Sequence, residues 1–206
     1  LNRRNLNPEA YREASSQRAG AHWRGRAGRF DLDIRPYVRH TDMAFLQHFL
    51  PGQPLEENGH TSAGVLSLLS VAAGDWSTNL GFDVEWADVF LRETQAGPTA
   101  GSDFLRETRP EGKHYDYDVR SLTSAAFVQA EYRVDDRLAL SGGLRLEHQS
   151  YDYVNNMLDG NTRDDGTACG FGGCLYTRSA DRRDATCGRR PSRPLRTSSS
   201  GPSRSS

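Results

Sequence analysis

Residues 76–87 read Trp76-Ser77-Thr78-Asn79-Leu80-Gly81-Phe82-Asp83-Val84-Glu85-Trp86-Ala87. Trp76, Thr78, Leu80, Phe82, Val84 and Trp86 fall on one side of an extended chain. Ser77, Asn79, Gly81, Asp83, Glu85 and Ala87 fall on the other. Successive side chains of a strand point to opposite faces, so the stretch predicts a strand with one apolar and one polar face. The two tryptophans stand ten residues apart. At ~3.3 Å per residue and ~45° of tilt, that is roughly 23 Å of height. A transmembrane β-barrel carries an apolar band about 25 Å tall with aromatic girdles at both edges. Trp76 and Trp86 are spaced to be those edges.

The same alternation recurs over residues 29–39, 122–132 and 138–149, blurs over 61–72, and extends to a further strand over 18–25. The connections are short at 26–28, 73–75 and 133–137. They are long at 40–60, 93–118 and after Ser150. Short and long alternate, which places all long loops at one end of the sheet. Barrels of the outer membrane have this rhythm. A soluble sandwich shows the same alternation within strands but has no reason to sort its loops. Phe30, Trp76 and Tyr132 adjoin the short turns and read as one girdle. Pro36 has no N–H to give to a ladder, so a bulge or the end of pairing is expected there.

Composition narrows the function. Hydrophobic residues make up 35% of the 206, and no run approaches the ~18 apolar residues of a spanning helix. A net charge of −1 gives no footprint for nucleic acid. No GxSxG, P-loop, HExxH or GxGxxG pattern occurs, so no catalytic residue or cofactor is expected. Cys169 and Cys174 frame Cys-Gly-Phe-Gly-Gly-Cys, with no further Cys or His nearby to complete a metal site. A local disulfide is the better reading, and it implies an oxidising compartment.

Three stretches carry a more specific likeness. One is Tyr37-Val38-Arg39 with residues 45–60, Phe-Leu-Gln-His-Phe-Leu-Pro-Gly-Gln-Pro-Leu-Glu-Glu-Asn-Gly-His. Another is Gly112-Lys113-His114-Tyr115-Asp116-Tyr117-Asp118. The third is Gly142-Gly143-Leu144-Arg145-Leu146-Glu147, then Tyr151-Asp152-Tyr153, residues 159–166 and the cysteine loop. Together they resemble the barrel domain of a TonB-dependent outer-membrane receptor, over about residues 10–184. The resemblance implies an all-β, antiparallel up-and-down barrel of 22 strands around a plug, of which about six strands, roughly a quarter, are present here. It implies location in the outer membrane of a Gram-negative bacterium, in contact with lipid. It also implies active uptake of a scarce nutrient such as a ferric siderophore, powered by the TonB complex. The plug and the segment that TonB grips are expected to lie outside this sequence.

Candidate ligand-loop residues are His40, Phe45, His48, Phe49 and His60 in the first long loop, and His114, Tyr115 and Asp116 at the head of the next strand. Alternation puts His114, Asp116 and Asp118 on one face and the tyrosines on the other; a polar strand mouth is the plainer reading. Asp83, Glu85, Glu131, Arg145 and Glu147 are expected to face the lumen if Leu144 and Leu146 face lipid. Residues 159–166 are rich in oxygen ligands, but Asp164 and Gly170 stand where a calcium loop needs Gly and Glu. No metal site is expected.

Three segments follow: residues 1–17, a partial N-terminal loop or strand; 18–184, the barrel fragment; and 185–206, a tail. From Ala185 onward there is no acid, no aromatic and no alternation. Such a segment cannot bury enough apolar surface to offset its ordering entropy, so disorder is expected. A shifted reading frame is the favoured reading of the abrupt change, beside a natural disordered tail and a basic tail that binds nucleic acid or lipid headgroups. The competing readings are a soluble secreted β-domain acting as a binding module, and a non-functional pseudogene product.

Overall fold

The structure, a computed structural model, describes residues 9–47 and 52–191. Its elements in chain order are β1 (Arg12–Gly20), β2 (Trp23–Ala27), β3 (Phe30–Leu46), β4 (Leu55–Ala73), β5 (Trp76–Gln95), α1 (Asp103–Thr108), β6 (Gly112–Arg133), β7 (Ala139–Asn155) and β8 (Arg182–Pro191). Every strand pairing is antiparallel. The order is β1-β3-β4-β5-β6-β7-β8, with β2 beside β1 on the same edge of β3. The sheet is a meander and does not close on itself.

Glycine makes two of the hairpins possible. Gly28 and Gly74 adopt φ of 61° and 59° as the first residues of two-residue turns. A side chain disfavours that backbone, and glycine there is the pattern of the type II′ turn that suits strand twist.

The register aligns the apolar positions across strands. Leu69, Leu80, Val128 and Leu144 form one row, and Ser67, Phe82, Ala126 and Leu146 the next. This face is bare: Trp76, Phe82 and Leu140 are 54%, 54% and 59% exposed. Fully burying such a side chain is worth about 1.5–3 kcal/mol. Left half-exposed, about ten of them forgo roughly 10 kcal/mol in water, as much as the ~5–15 kcal/mol that holds a domain together. A soluble domain cannot leave such a face uncovered, which removes that reading. Within the sheet, only Ala87 and Ala125 are buried apolar residues among those described. The apolar band ends abruptly. Past the row of Ala63, Trp86 and Leu122, the next row on that face holds Gln17, His40, Thr61, Asp88, Arg120, Asp152 and Arg183.

The structure corrects several expectations. The strands run 17 to 22 residues in β3 to β7, because they continue past the band, where the bare face turns polar at Asp88 and Arg120 while Val89, Tyr117, Tyr151 and Tyr153 lie on the other face, so the alternation changes sense. The strand expected over 18–25 is instead two strands, broken at Ala21 and His22. The break lies opposite Pro36, whose carbonyl accepts from the Ala21 N–H at 3.0 Å. In an antiparallel ladder a residue's N–H and C=O point to the same neighbour, so the donor that proline lacks faces the interruption. Residues 185–191, expected in the disordered tail, pair as β8 with β7. Backbone pairing on a free edge needs no alternation of side chains, which is why composition did not reveal it. Residues 192–206 lie outside the described residues.

Candidate functional site

Residues 52–54, 96–111 and 156–181 lie at one end of the sheet, opposite the tight turns. The two larger ones lock together. Ser102 caps α1, its Oγ accepting from the Leu105 N–H at 3.4 Å. The Leu175 N–H donates to the Thr108 carbonyl at 2.8 Å. Arg163 pairs with Glu107 at 2.7 Å, and the Lys113 N–H donates to Asp164 at 3.2 Å. Phe104 meets Phe171 edge-on at 5.5 Å.

Under these loops lies the buried apolar cluster: Cys169, Cys174 and Tyr176, with Tyr115 against them. Cys169 and Cys174 are disulfide-bonded. Asn161 stitches the ring to the next segment, its Nδ2 donating to the Cys174 and Tyr176 carbonyls and its Oδ1 accepting from the Cys174 N–H. Register shifts at Glu93/Thr94, a bulge that takes His114 out of the alternation. His114 is fully buried. Its Nε2 must donate to the Pro110 carbonyl at 2.8 Å, since a carbonyl only accepts, and its Nδ1 meets Glu93 at 3.0 Å. Tyr176 stacks on the imidazole at 4.4 Å, and burial pushes its phenol above the ordinary range. Arg178, 2% exposed, spends its guanidinium on the Leu158, Thr162, Arg163 and His114 carbonyls and the Thr162 hydroxyl.

Residues 176–179 therefore serve two sites. Tyr176 and Arg178 point into this latch. Thr177 and Ser179 line a pocket of about 370 Å³, with Tyr115, Tyr117, Val119, Tyr151, Tyr153 and Arg182. The tyrosines come from β6 and β7 on the polar face; Tyr117 and Tyr153 lie 5.1 Å apart between ring centroids. Arg182 is held by Asp184 at 2.8 Å.

The structure separates several residues grouped by sequence. His40 and Phe45 lie in β3 and His60 in β4, not in a loop, because those strands extend past the band. His40 is engaged by Asp42 and Thr61, and Arg12 stacks on Phe45 at 4.2 Å. His48 and Phe49 lie outside the described residues. Tyr115 lines the pocket, His114 is a buried latch residue, and Asp116 turns the other way to Lys113 at 2.7 Å and Arg92 at 3.5 Å. Tyr117, Tyr151, Tyr153 and Arg178 were missed. A signal existed for the tyrosines: the paired motifs Tyr115-Asp116-Tyr117 and Tyr151-Asp152-Tyr153 each place two rings on one face.

Farther down that polar face, Arg145 reaches Asp83 at 2.9 Å and Glu147 at 3.3 Å. Glu85 takes Arg39 at 2.6 Å and the Tyr37 hydroxyl. Glu131 shares the face, in register with Ser77 and Ser141. Among the described residues no cluster of His, Cys, Asp and Glu is arranged to hold a metal ion.

The profile of the TonB-dependent receptor-like β-barrel family matches residues 2–179. The chain belongs to the TonB-dependent receptor β-barrel family. These receptors are barrels of the Gram-negative outer membrane that take up nutrients, and the family is not one of enzymes. Among solved structures, the copper transporter OprC is similar, at TM-score 0.57 and 15% identity over 86% of this chain. The match covers 28% of that protein's chain, so this TonB-dependent receptor segment corresponds to little more than a quarter of it. At that identity the likeness speaks for the fold alone. No curated protein sequence matches the chain.

Proposed function

We propose that this chain forms part of the wall of an outer-membrane importer, with its loop end at the cell surface and its turn end in the periplasm. The apolar face meets lipid. Asp83, Glu85, Glu131, Arg145 and Glu147 face the lumen, where a plug and water take up their charge. The tyrosine pocket is the ligand's entry site, under a loop lid held by the disulfide and Arg178. The cargo is a scarce nutrient taken up with TonB energy, a metal chelate such as a ferric siderophore; the copper carried by OprC widens that class to metal nutrients in general. The observation that carries this reading is the sorting of the sheet: a bare apolar face bounded by Trp76 and Trp86, with every long loop and the pocket beyond one edge.

Orientation is tested by labelling intact cells with a membrane-impermeant maleimide, in a Cys187→Ser background. Leu158→Cys, at the loop end and 55% exposed, is expected to label. Asp75→Cys, in a tight turn, is expected to label only after the membrane is opened. The reverse pattern overturns the assignment.

A further inference from the structure

We infer that the tyrosine pocket is built for a positively charged group, so that the ligand presents an ammonium-like or otherwise cationic moiety to this site. The inference rests on reading the loop end as the ligand entrance, and it specifies what enters.

Four phenol rings form the walls, with the Thr177 and Ser179 hydroxyls between them. The face of an aromatic ring carries the negative end of its quadrupole, so a ring that turns its face to a pocket attracts cations and repels anions; Tyr117 and Tyr153 meet at a tilt of 41°. The fixed charges around the pocket add to that preference. Asp159 and Asp181 are both anchored on Asn155, two residues past Tyr153 of the lining: its Nδ2 donates to Asp159 at 2.9 Å and its backbone N–H to Asp181 at 2.8 Å. Both carboxylates stand close enough to act on the Tyr153 phenol, as Glu56 does on Tyr117. The lining also holds Arg182, and Asp184 already pairs with it. Arg178 lies behind Tyr176 with its guanidinium committed to oxygen acceptors. Arg183 is across the sheet, paired with Asp152. The one guanidinium in the lining is therefore matched by Asp184, which leaves Asp159 and Asp181 as the excess charge beside Tyr153. An anionic chelate would meet phenol rings and carboxylates, and among the described lining residues the one cation, Arg182, is already paired. A cation would gain from both.

The test uses the full chain refolded in detergent micelles and three probes that share one phenyl ring and differ in charge: benzyltrimethylammonium, benzyl alcohol and benzenesulfonate. Binding is followed by tyrosine fluorescence. The ammonium is expected to bind tightest and to weaken with added salt, the sulfonate weakest. Tyr117→Leu and Tyr153→Leu are each expected to lose about tenfold for the ammonium, while Tyr117→Phe and Tyr153→Phe, which keep the rings, retain it. Should the leucine variants fail to fold, Asp159→Asn with Asp181→Asn in the wild-type cage gives the same reading as a loss of charge preference. Tighter binding of the sulfonate overturns the ligand class and leaves the pocket standing as the entrance. Binding of none of the three overturns the pocket itself.

Discussion

Phe127 lies across Gly81 of the neighbouring strand, and its ring fills the space that a side chain at 81 would need: a Cβ there would stand 2.0 Å from the ring Cζ. The two residues are register partners in β5 and β6. Tyr37 covers Gly64 in the same way, on its way to Glu85. A strand glycine normally weakens a sheet. Here an aromatic from the next strand recovers the lost packing.

Gly81→Ala is expected to destabilise the folded chain by about 1–3 kcal/mol through overpacking. Gly142 is the control, because a methyl group on its Cα would meet nothing within 4 Å. Gly142→Ala should be neutral or stabilise by up to about 1 kcal/mol. Urea midpoints in micelles compare the two. Equal midpoints contradict the packing account.

Arg178 is the keystone of the loop end. Arg178→Met removes the donors that satisfy four carbonyls and a hydroxyl, at a cost of about 3 kcal/mol to local opening. Hydrogen exchange should rise across residues 156–181 while β4 and β5 stay protected. Arg178→Lys, a single point donor, should recover only part of the protection. Reducing the disulfide is a milder change, since closing so small a ring stabilises by only about 2 kcal/mol. Unchanged exchange in Arg178→Met would remove the latch from the account.

The carboxyl of Asp165 is held below the ordinary aspartate range by the Thr167 hydroxyl and backbone N–H, at 2.7 and 2.8 Å. A depressed folded-state pKa means that this turn's stabilisation is complete above the ordinary aspartate pKa. It is lost as pH falls through the lowered value. Thr167→Val removes the hydroxyl and keeps the N–H, so Asp165 should titrate at higher pH, read by NMR of its carboxyl carbon. A titration that does not move shows that the hydroxyl is not the cause.

The sheet of this molecule was legible in its sequence because one apolar and one polar face impose a periodicity of two over the band. The alternation of residues 76–87 located Trp76, Trp86 and both faces of β5. It changed sense beyond Trp86, where the apolar band gives way to Asp88 and Arg120 and the aromatic residues move to the other face, so His40, Phe45 and His60 were read as loop. The latch was hidden for another reason. Arg178 and Asn161 act on carbonyls brought near by a loop, and a carbonyl leaves no mark on composition. The bulge at Glu93/Thr94 likewise put His114 where simple alternation does not. The edge strand β8 exists through backbone pairing, which its arginines, alanine and threonine provide as well as any residue.

The central claim is that the bare face lies against acyl chains. All three tryptophans, Trp23, Trp76 and Trp86, lie on that face by register, so the native chain carries its own reporters. The deciding measurement is tryptophan fluorescence of the chain inserted into bilayers whose acyl chains carry bromine, compared with the same sample exposed to aqueous iodide. The account predicts strong quenching by the brominated lipid and little by iodide. Quenching by iodide with none from the lipid would put these residues in water and contradict the barrel-wall reading.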